Sequence, residues 1–159
     1  MRQNSRTELK SLLEAEGFTF KKSLGQNFIT DPSVCPRMAQ SAADKDTGII
    51  EIGPGAGVLT CCLCEEAKKV VAIEIDERLK PVLDKTLSGY DNVKVIFADV
   101  LKTDLNALIS QEFSNCKRVN ICANLPYYIT SPILMGILTS KPDIESVTAM
   151  VQKEAALRI

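Results

Sequence analysis

Short apolar runs separated by amphipathic stretches recur along the whole chain. Five runs have the length and β-branched content of buried strands: Ile49–Ile52, Val70–Ile73, Val93–Ala98, Arg118–Ala123 and Ser146–Val151. Helical patterns lie between and before them. Residues 5–17 place Leu9, Leu12 and Leu13 on one face, with Gly17 as a stop. Asp31-Pro32 opens a helix to about Ala43, since Asp caps well and Pro suits the first helical position. Further helices are expected after Gly57, from Asp76-Glu77 to Leu87, over 104–113, and over 131–139 with Ser131 as cap and Pro132 at the first position. Residues 153–159 begin another. Strands alternating with helices predict a parallel sheet covered on both faces, and right-handed crossovers leave few ways to connect it.

The first strand runs into Glu51-Ile52-Gly53-Pro54-Gly55-Ala56-Gly57, with three glycines at every second position. A turn of this kind lets bare backbone approach a ligand, because glycine has no Cβ to collide with it. Glu74 follows Gly53 by 21 residues and ends the second strand. An acid at that spacing can hold both hydroxyls of a ribose. Asp99 leaves the third strand, where it can accept a hydrogen bond from an adenine amino group. Three acids and a glycine turn at strand exits predict a nucleoside site at the carboxyl edge of the sheet.

Composition narrows the chemistry. Apolar residues make up 45% of the 159 and charged residues 25%, as in an ordinary globular domain with a core of its own. The net charge of −1 shows no global preference for nucleic acid, although Arg2, Arg6, Lys10, Lys21 and Lys22 give the first 27 residues a basic lean. The absence of histidine excludes His-based triads, bases and metal ligands. Lacking an apolar span or signal-like start, the chain is expected in the cytoplasm without a membrane partner. Its six cysteines are then expected to stay reduced. Cys61 and Cys64 form a C-x-x-C, but within a predicted helix and with no second pair, so packing against the sheet is the better reading than a metal or redox site.

The fourth strand exit carries Asn124-Leu125-Pro126-Tyr127. This matches the N-L-P-Y form of a motif found in amino-group methyltransferases, and the glycine spacing resembles the E/D-x-G-x-G-x-G signature of S-adenosylmethionine-dependent methyltransferases. The residue types suit the reaction. An exocyclic purine amine is a poor nucleophile because its lone pair is delocalised. Accepting its two hydrogens, on the Asn124 side-chain oxygen and the Leu125 carbonyl, draws it toward tetrahedral geometry. Pro126 stiffens the turn, and Tyr127 offers a flat face for the extruded base. Rate then comes from alignment and oriented dipoles, with no metal required.

Together these residues resemble the ribosomal RNA adenine dimethyltransferase family, along residues 20–159. Lys21 to Ile29 is similar to that family's K-x-x-G-Q-N-F-L segment, which closes over the cofactor, with Leu24 and Ile29 as mild departures. The resemblance implies a Rossmann-like methyltransferase fold: a closing segment over 1–30 and a core over 31–159. It implies S-adenosylmethionine as cofactor, held by Asn27, Ile29, Gly53, Gly55, Glu74, Ile75, Asp99, Val100 and Asn124. Asn124, Leu125, Pro126 and Tyr127 would form the catalytic turn. The implied partner is small-subunit rRNA in the assembling ribosome, whose adenosines are dimethylated. Family members continue for roughly 100 residues more, supplying the last strands and a small helical domain. A sheet stopping after the fifth strand would leave an edge open to self-association. Three rival readings stand beside this one: a large-subunit rRNA methyltransferase of the antibiotic-resistance type, a cofactor- or RNA-binding module without turnover, and a nicotinamide-dependent dehydrogenase.

Overall fold

The computed structural model describes residues 31–125 and 129–157. The expected helix over 5–17 and the segment Lys21–Ile29 lie outside them. In chain order the elements are α1 (Val34–Ala42), β1 (Thr47–Ile52), α2 (Val58–Glu66), β2 (Lys69–Glu74), α3 (Lys80–Thr86), β3 (Val93–Phe97), α4 (Leu105–Glu112), β4 (Arg118–Asn124), α5 (Thr130–Ser140), β5 (Ser146–Met150) and α6 (Lys153–Ala156). Short 3₁₀ turns at Glu77–Leu79 and Val100–Lys102 follow β2 and β3.

All strand pairs are parallel, in the order β3-β2-β1-β4-β5. The chain grows outward from β1 to β3, then returns across the sheet to β4. The strand order therefore reverses beside β1, which is where this class of sheet opens a crevice. β1 is buried at all six positions, as a central parallel strand covered on both faces must be.

Side-chain alternation divides the core. Ile50, Ile52, Val71, Ile73, Val119, Ile121 and Ala123 face α4 and α5, meeting Leu105, Leu108, Ile133 and Ile137. Ile49, Val70 and Cys122 face α1 and α2, meeting Cys35, Met38, Ala39, Leu59, Leu63 and Cys64. Leu79, Val82, Leu83 and Leu87 extend that second layer over β3. Cys35, Cys64 and Cys122 thus act as small apolar core residues, and burial pushes the thiols of Cys35 up to about 11 and Cys122 up to about 12.

Local details depart from the sequence expectations for identifiable reasons. Asp31-Pro32 forms a turn and not the helix start: Asp31 Oδ1 accepts from Ser33 N at 2.8 Å, and the helix begins at Val34. The helix expected from Asp76 to Leu87 is split into a 3₁₀ turn and α3, with Pro81 at the start of the second piece. Proline lacks the N–H that a continuous helix would need there. Ser131 lies inside α5, which starts at the fully buried Thr130 and has no side-chain cap. Gly48, just before the run Ile49–Ile52 expected as the first strand, belongs to β1.

The reason Gly48 is tolerated in a strand is Phe113. A Cβ at residue 48 would lie 2.3 Å from the Phe113 Cδ1 atom, and that ring is 3% exposed. Gly48→Ala is therefore expected to lower stability by roughly 1–3 kcal/mol, the usual cost of overpacking. Denaturant melts will show it as a lower midpoint, with partial recovery in Gly48→Ala/Phe113→Leu. An unchanged midpoint in the single variant would show that the ring moves aside freely.

Candidate functional site: a cradle at the carboxyl edge of the sheet

The ladder brings four strand exits level. Ile52 pairs with Ile73 and with Ala123, Glu74 pairs with Phe97, and Asn124 pairs with Met150. Gly53, Glu74, Ala98 and Leu125 consequently open onto one rim. Gly53 N donates to Ile73 O at 2.9 Å and Ala98 N to Glu74 O at 2.9 Å, continuing the strand pairing into the exits.

The glycine turn has the conformation its spacing implied. Gly53, Gly55 and Gly57 have φ of +69°, +57° and +87°, values that a side chain tolerates poorly. A Cβ at Gly53 or Gly55 would meet nothing among the described residues within 4 Å. Among the described residues nothing packs on those two positions, so their lack of a side chain serves conformation and approach. Gly57 differs: it packs against Thr86, Leu83 and Leu87 and leads into α2.

Glu74 is the hinge of the rim. It is 5% exposed. Its Oε2 accepts from Gly55 N at 3.1 Å and its Oε1 from Asp76 N at 2.9 Å. One carboxylate therefore ties the glycine turn to the exit of β2. Burial raises its pKa, while the amides of Asp76, Gly55 and Ile75 oppose the rise. A carboxylate has about four acceptor positions, so capacity for a diol remains. Ile75 beside it is 60% exposed, an apolar surface next to the cradle. Asp99 accepts from Leu101 N at 3.0 Å through Oδ1, while its Oδ2 lies 3.9 Å from Lys102 Nζ. Val100 follows in the 3₁₀ turn and is half-buried.

Asn124 is the last residue of β4 and is half-buried. Leu125 is buried, and its N–H donates to Met150 O at 3.1 Å, which anchors the exit to β5. The structure thus gathers Gly53, Gly55, Glu74, Ile75, Asp99, Val100, Asn124 and Leu125 on one edge. Asn27, Ile29, Pro126 and Tyr127 lie outside the described residues.

Two acids near the rim are more enclosed than their places in the sequence suggest. Asp76 is 8% exposed and caps the turn after β2, accepting from Arg78 N at 3.2 Å and Arg78 Nε at 2.7 Å. Asp76 thus opens the helical stretch after β2, as expected from Asp76-Glu77. The second is Glu51, expected at a strand exit. It lies within β1, 1% exposed, on the α1 and α2 side. Burial pushes its carboxyl up to about 8, and the Glu74 charge adds to the rise. Glu51 Oε2 and Thr60 Oγ1 have no hydrogen-bond partner among the described residues.

Comparison with known proteins agrees with this geometry. A model of the family described as ribosomal RNA adenine dimethylase matches residues 17–159. The chain is 50% identical over 151 residues to the small-subunit rRNA methyltransferase A of Bacillus pumilus, covering 94% of this chain and 52% of that protein. It is 52% identical to the protein of the same name from Geobacillus thermodenitrificans, with the same coverage. The chain spans about half the length of the curated relatives it matches. Among solved structures, the 23S rRNA methyltransferase ErmE superposes with a TM-score of 0.68 at 34% identity, over 82% of this chain and 50% of that one. A Plasmodium falciparum dimethyladenosine transferase superposes at 0.66 and 31% identity, over 83% and 46%. Among the described residues no helix is long and apolar enough to cross a membrane, and no cluster of three metal-binding side chains occurs.

The buried Glu51 makes stability depend on pH in a definite direction. Its pKa is about 8 in the folded chain and about 4.3 unfolded. Between those values the folded state holds the extra proton, so stability falls as pH rises from about 5 to about 8. Glu51→Gln removes that slope. Melting temperatures of the ligand-free protein and variant across this range will show it; parallel slopes would rule out a neutral Glu51.

Proposed function

The chain belongs to the ribosomal RNA adenine dimethylase family, and on that premise we propose that it is the cofactor-binding, catalytic part of an S-adenosylmethionine-dependent methyltransferase. Its substrate is the exocyclic amino group of adenosines in small-subunit rRNA, dimethylated in the cytoplasm during ribosome assembly. The observation that carries the reading is the open cradle at Gly53 and Gly55, bounded by Glu74 and level with Asn124. A Cβ at either glycine would intrude where the cofactor is held.

In this reading Glu74 takes the ribose hydroxyls with the acceptor capacity left by Gly55 and Asp76. Ile75 supports the adenine ring and Asp99 accepts from its amino group. Val100 lies against the same ring, and Asn27 and Ile29 close over the methionyl end. The cofactor supplies an electrophilic methyl group on a sulfonium centre. Asn124 and the Leu125 carbonyl accept the hydrogens of the target amine and aim its lone pair. Pro126 fixes the angle of that turn, and Tyr127 stacks on the base. As the N–C bond forms and the S–C bond breaks, positive charge passes from sulfur to nitrogen, and the amine then loses a proton to water. No side chain with a near-neutral pKa is needed at the amine, which suits a chain without histidine.

The relatives of about 50% identity carry small-subunit names, whereas the 23S enzyme is 34% identical. That difference favours small-subunit rRNA over the large-subunit reading.

Asn124→Ala is expected to lower methyl transfer to unmodified small subunits by about 100-fold or more, the scale of losing one oriented polar group at a reacting centre. Cofactor affinity should change little. Glu74→Ala should weaken cofactor binding roughly 10- to 100-fold, the equivalent of one charged hydrogen-bond pair. Titration calorimetry with S-adenosylmethionine and NADH, together with transfer of labelled methyl to small and large subunits, decides these points. Binding without transfer by the unsubstituted chain would favour the non-catalytic module. Transfer to large subunits alone would favour the other branch.

A further inference from the structure

The acid assigned to the ribose has a second acid beside it. Glu74 and Asp76 flank Ile75 at the exit of β2, and both are buried. The Asp76 N–H donates to Glu74 Oε1 at 2.9 Å, so the two carboxyls share one turn. Burial first, and the Asp76 charge after it, work against ionising Glu74. A ribose diol donates its hydroxyl hydrogens, so it needs Glu74 as the anion, which accepts at both oxygens.

Arg78 answers that conflict. Its Nε donates to Asp76 Oδ1 at 2.7 Å and its Nη2 donates to Asp76 Oδ2, a two-pronged pair. Its backbone N–H also reaches Asp76 Oδ1, at 3.2 Å, and Leu79 N donates to Asp76 O at 3.0 Å. One fork therefore neutralises Asp76 and fixes the 3₁₀ turn that aims the Asp76 amide at Glu74. The aspartate is enclosed and the guanidinium half-exposed, so water screens this pair less than one on an open surface. Other charged groups near Glu74 are an acid and an ion pair. Glu51 on β1 feels the Glu74 charge. At the exit of β3 stand Asp99 and Lys102, with Lys102 Nζ 3.9 Å from Asp99 Oδ2.

We propose that Arg78 is a positioning residue for cofactor binding: by neutralising Asp76 it keeps Glu74 ionised and aimed at the ribose hydroxyls. It acts through Asp76 and Glu74 and touches no ligand itself. The idea rests on the cofactor reading above.

The test reads the pH profile of ribose binding. The probe is 5′-methylthioadenosine, which carries the adenosine and has no group titrating between about pH 5 and pH 8.5, so any pH dependence belongs to the protein. Titration calorimetry of the unsubstituted chain should show affinity rising with pH as Glu74 loses its proton. In Arg78→Met that rise should move up by roughly one pH unit, the usual effect of one nearby charge. Binding then falls about three- to tenfold at pH 6 and recovers to within about twofold at pH 8.5. Arg78→Lys should lie between the two. A fork with a purely structural role would weaken binding equally at every pH.

Glu74→Gln supplies the second arm. Its carboxamide does not ionise, so adding Arg78→Met to it should cost no further affinity at either pH. Asp76→Asn keeps the backbone amide and removes the charge, and should move the rise to lower pH; it decides alone should Arg78→Met fail to fold. A pH-independent loss in Arg78→Met, full additivity with Glu74→Gln, or an unmoved profile in Asp76→Asn would each overturn the proposal. An unsubstituted chain that binds neither this probe nor S-adenosylmethionine would overturn the cofactor reading itself, and this proposal with it.

Discussion

The site depends on the register of β1 between β2 and β4. Each rung of a parallel ladder fixes its neighbours, and here the rungs end level: Ile52 against both Ile73 and Ala123. A slip of one residue would exchange the two faces of a strand. It would bury Glu74 in the α-layer and carry Asn124 off the rim. β1 is buried along its whole length, so a slip would also place Glu51 where Ile50 and Ile52 now pack. The apolar faces of the sheet thus hold the functional groups in place without touching a ligand.

Upon that frame, two buried carboxyls take opposite parts. Glu74 is satisfied by amides at Gly55 and Asp76, and its bonds join two turns into one rim. Glu51 lies one strand away, enclosed by helices and thiols, with an acceptor unmet among the described residues. The two differ because backbone amides are free at the strand exits and are consumed by the ladder within the strand. One position along the chain decides whether an acid near this turn finds donors.

The glycines show the same separation of causes. Gly53 and Gly55 have no close neighbour among the described residues, Gly57 packs beneath α3, and Gly48 yields to the Phe113 ring. Four glycines within ten residues therefore answer to three constraints: approach of a ligand, close packing between elements, and room for a ring. The cysteines carry less chemistry than their number suggests. Buried thiols raised well above the usual range are poor nucleophiles, and those of Cys35, Cys64 and Cys122 fill the layer between sheet and helices.

The sequence by itself determined the alternation of strands and helices, the parallel sheet and the four chemical exits. Those features follow from local patterning: apolar runs, a glycine spacing, and acids at fixed intervals after them. It also carried the proline that divides α3 from the turn before it. Tertiary structure alone decided that Gly48 lies in β1, because the reason is a ring 65 residues further along the chain. It alone decided that Glu74 clamps Gly55, and that Glu51 is enclosed rather than presented. Burial and hydrogen-bond supply belong to neighbours distant in sequence, and a residue's own letters do not record them.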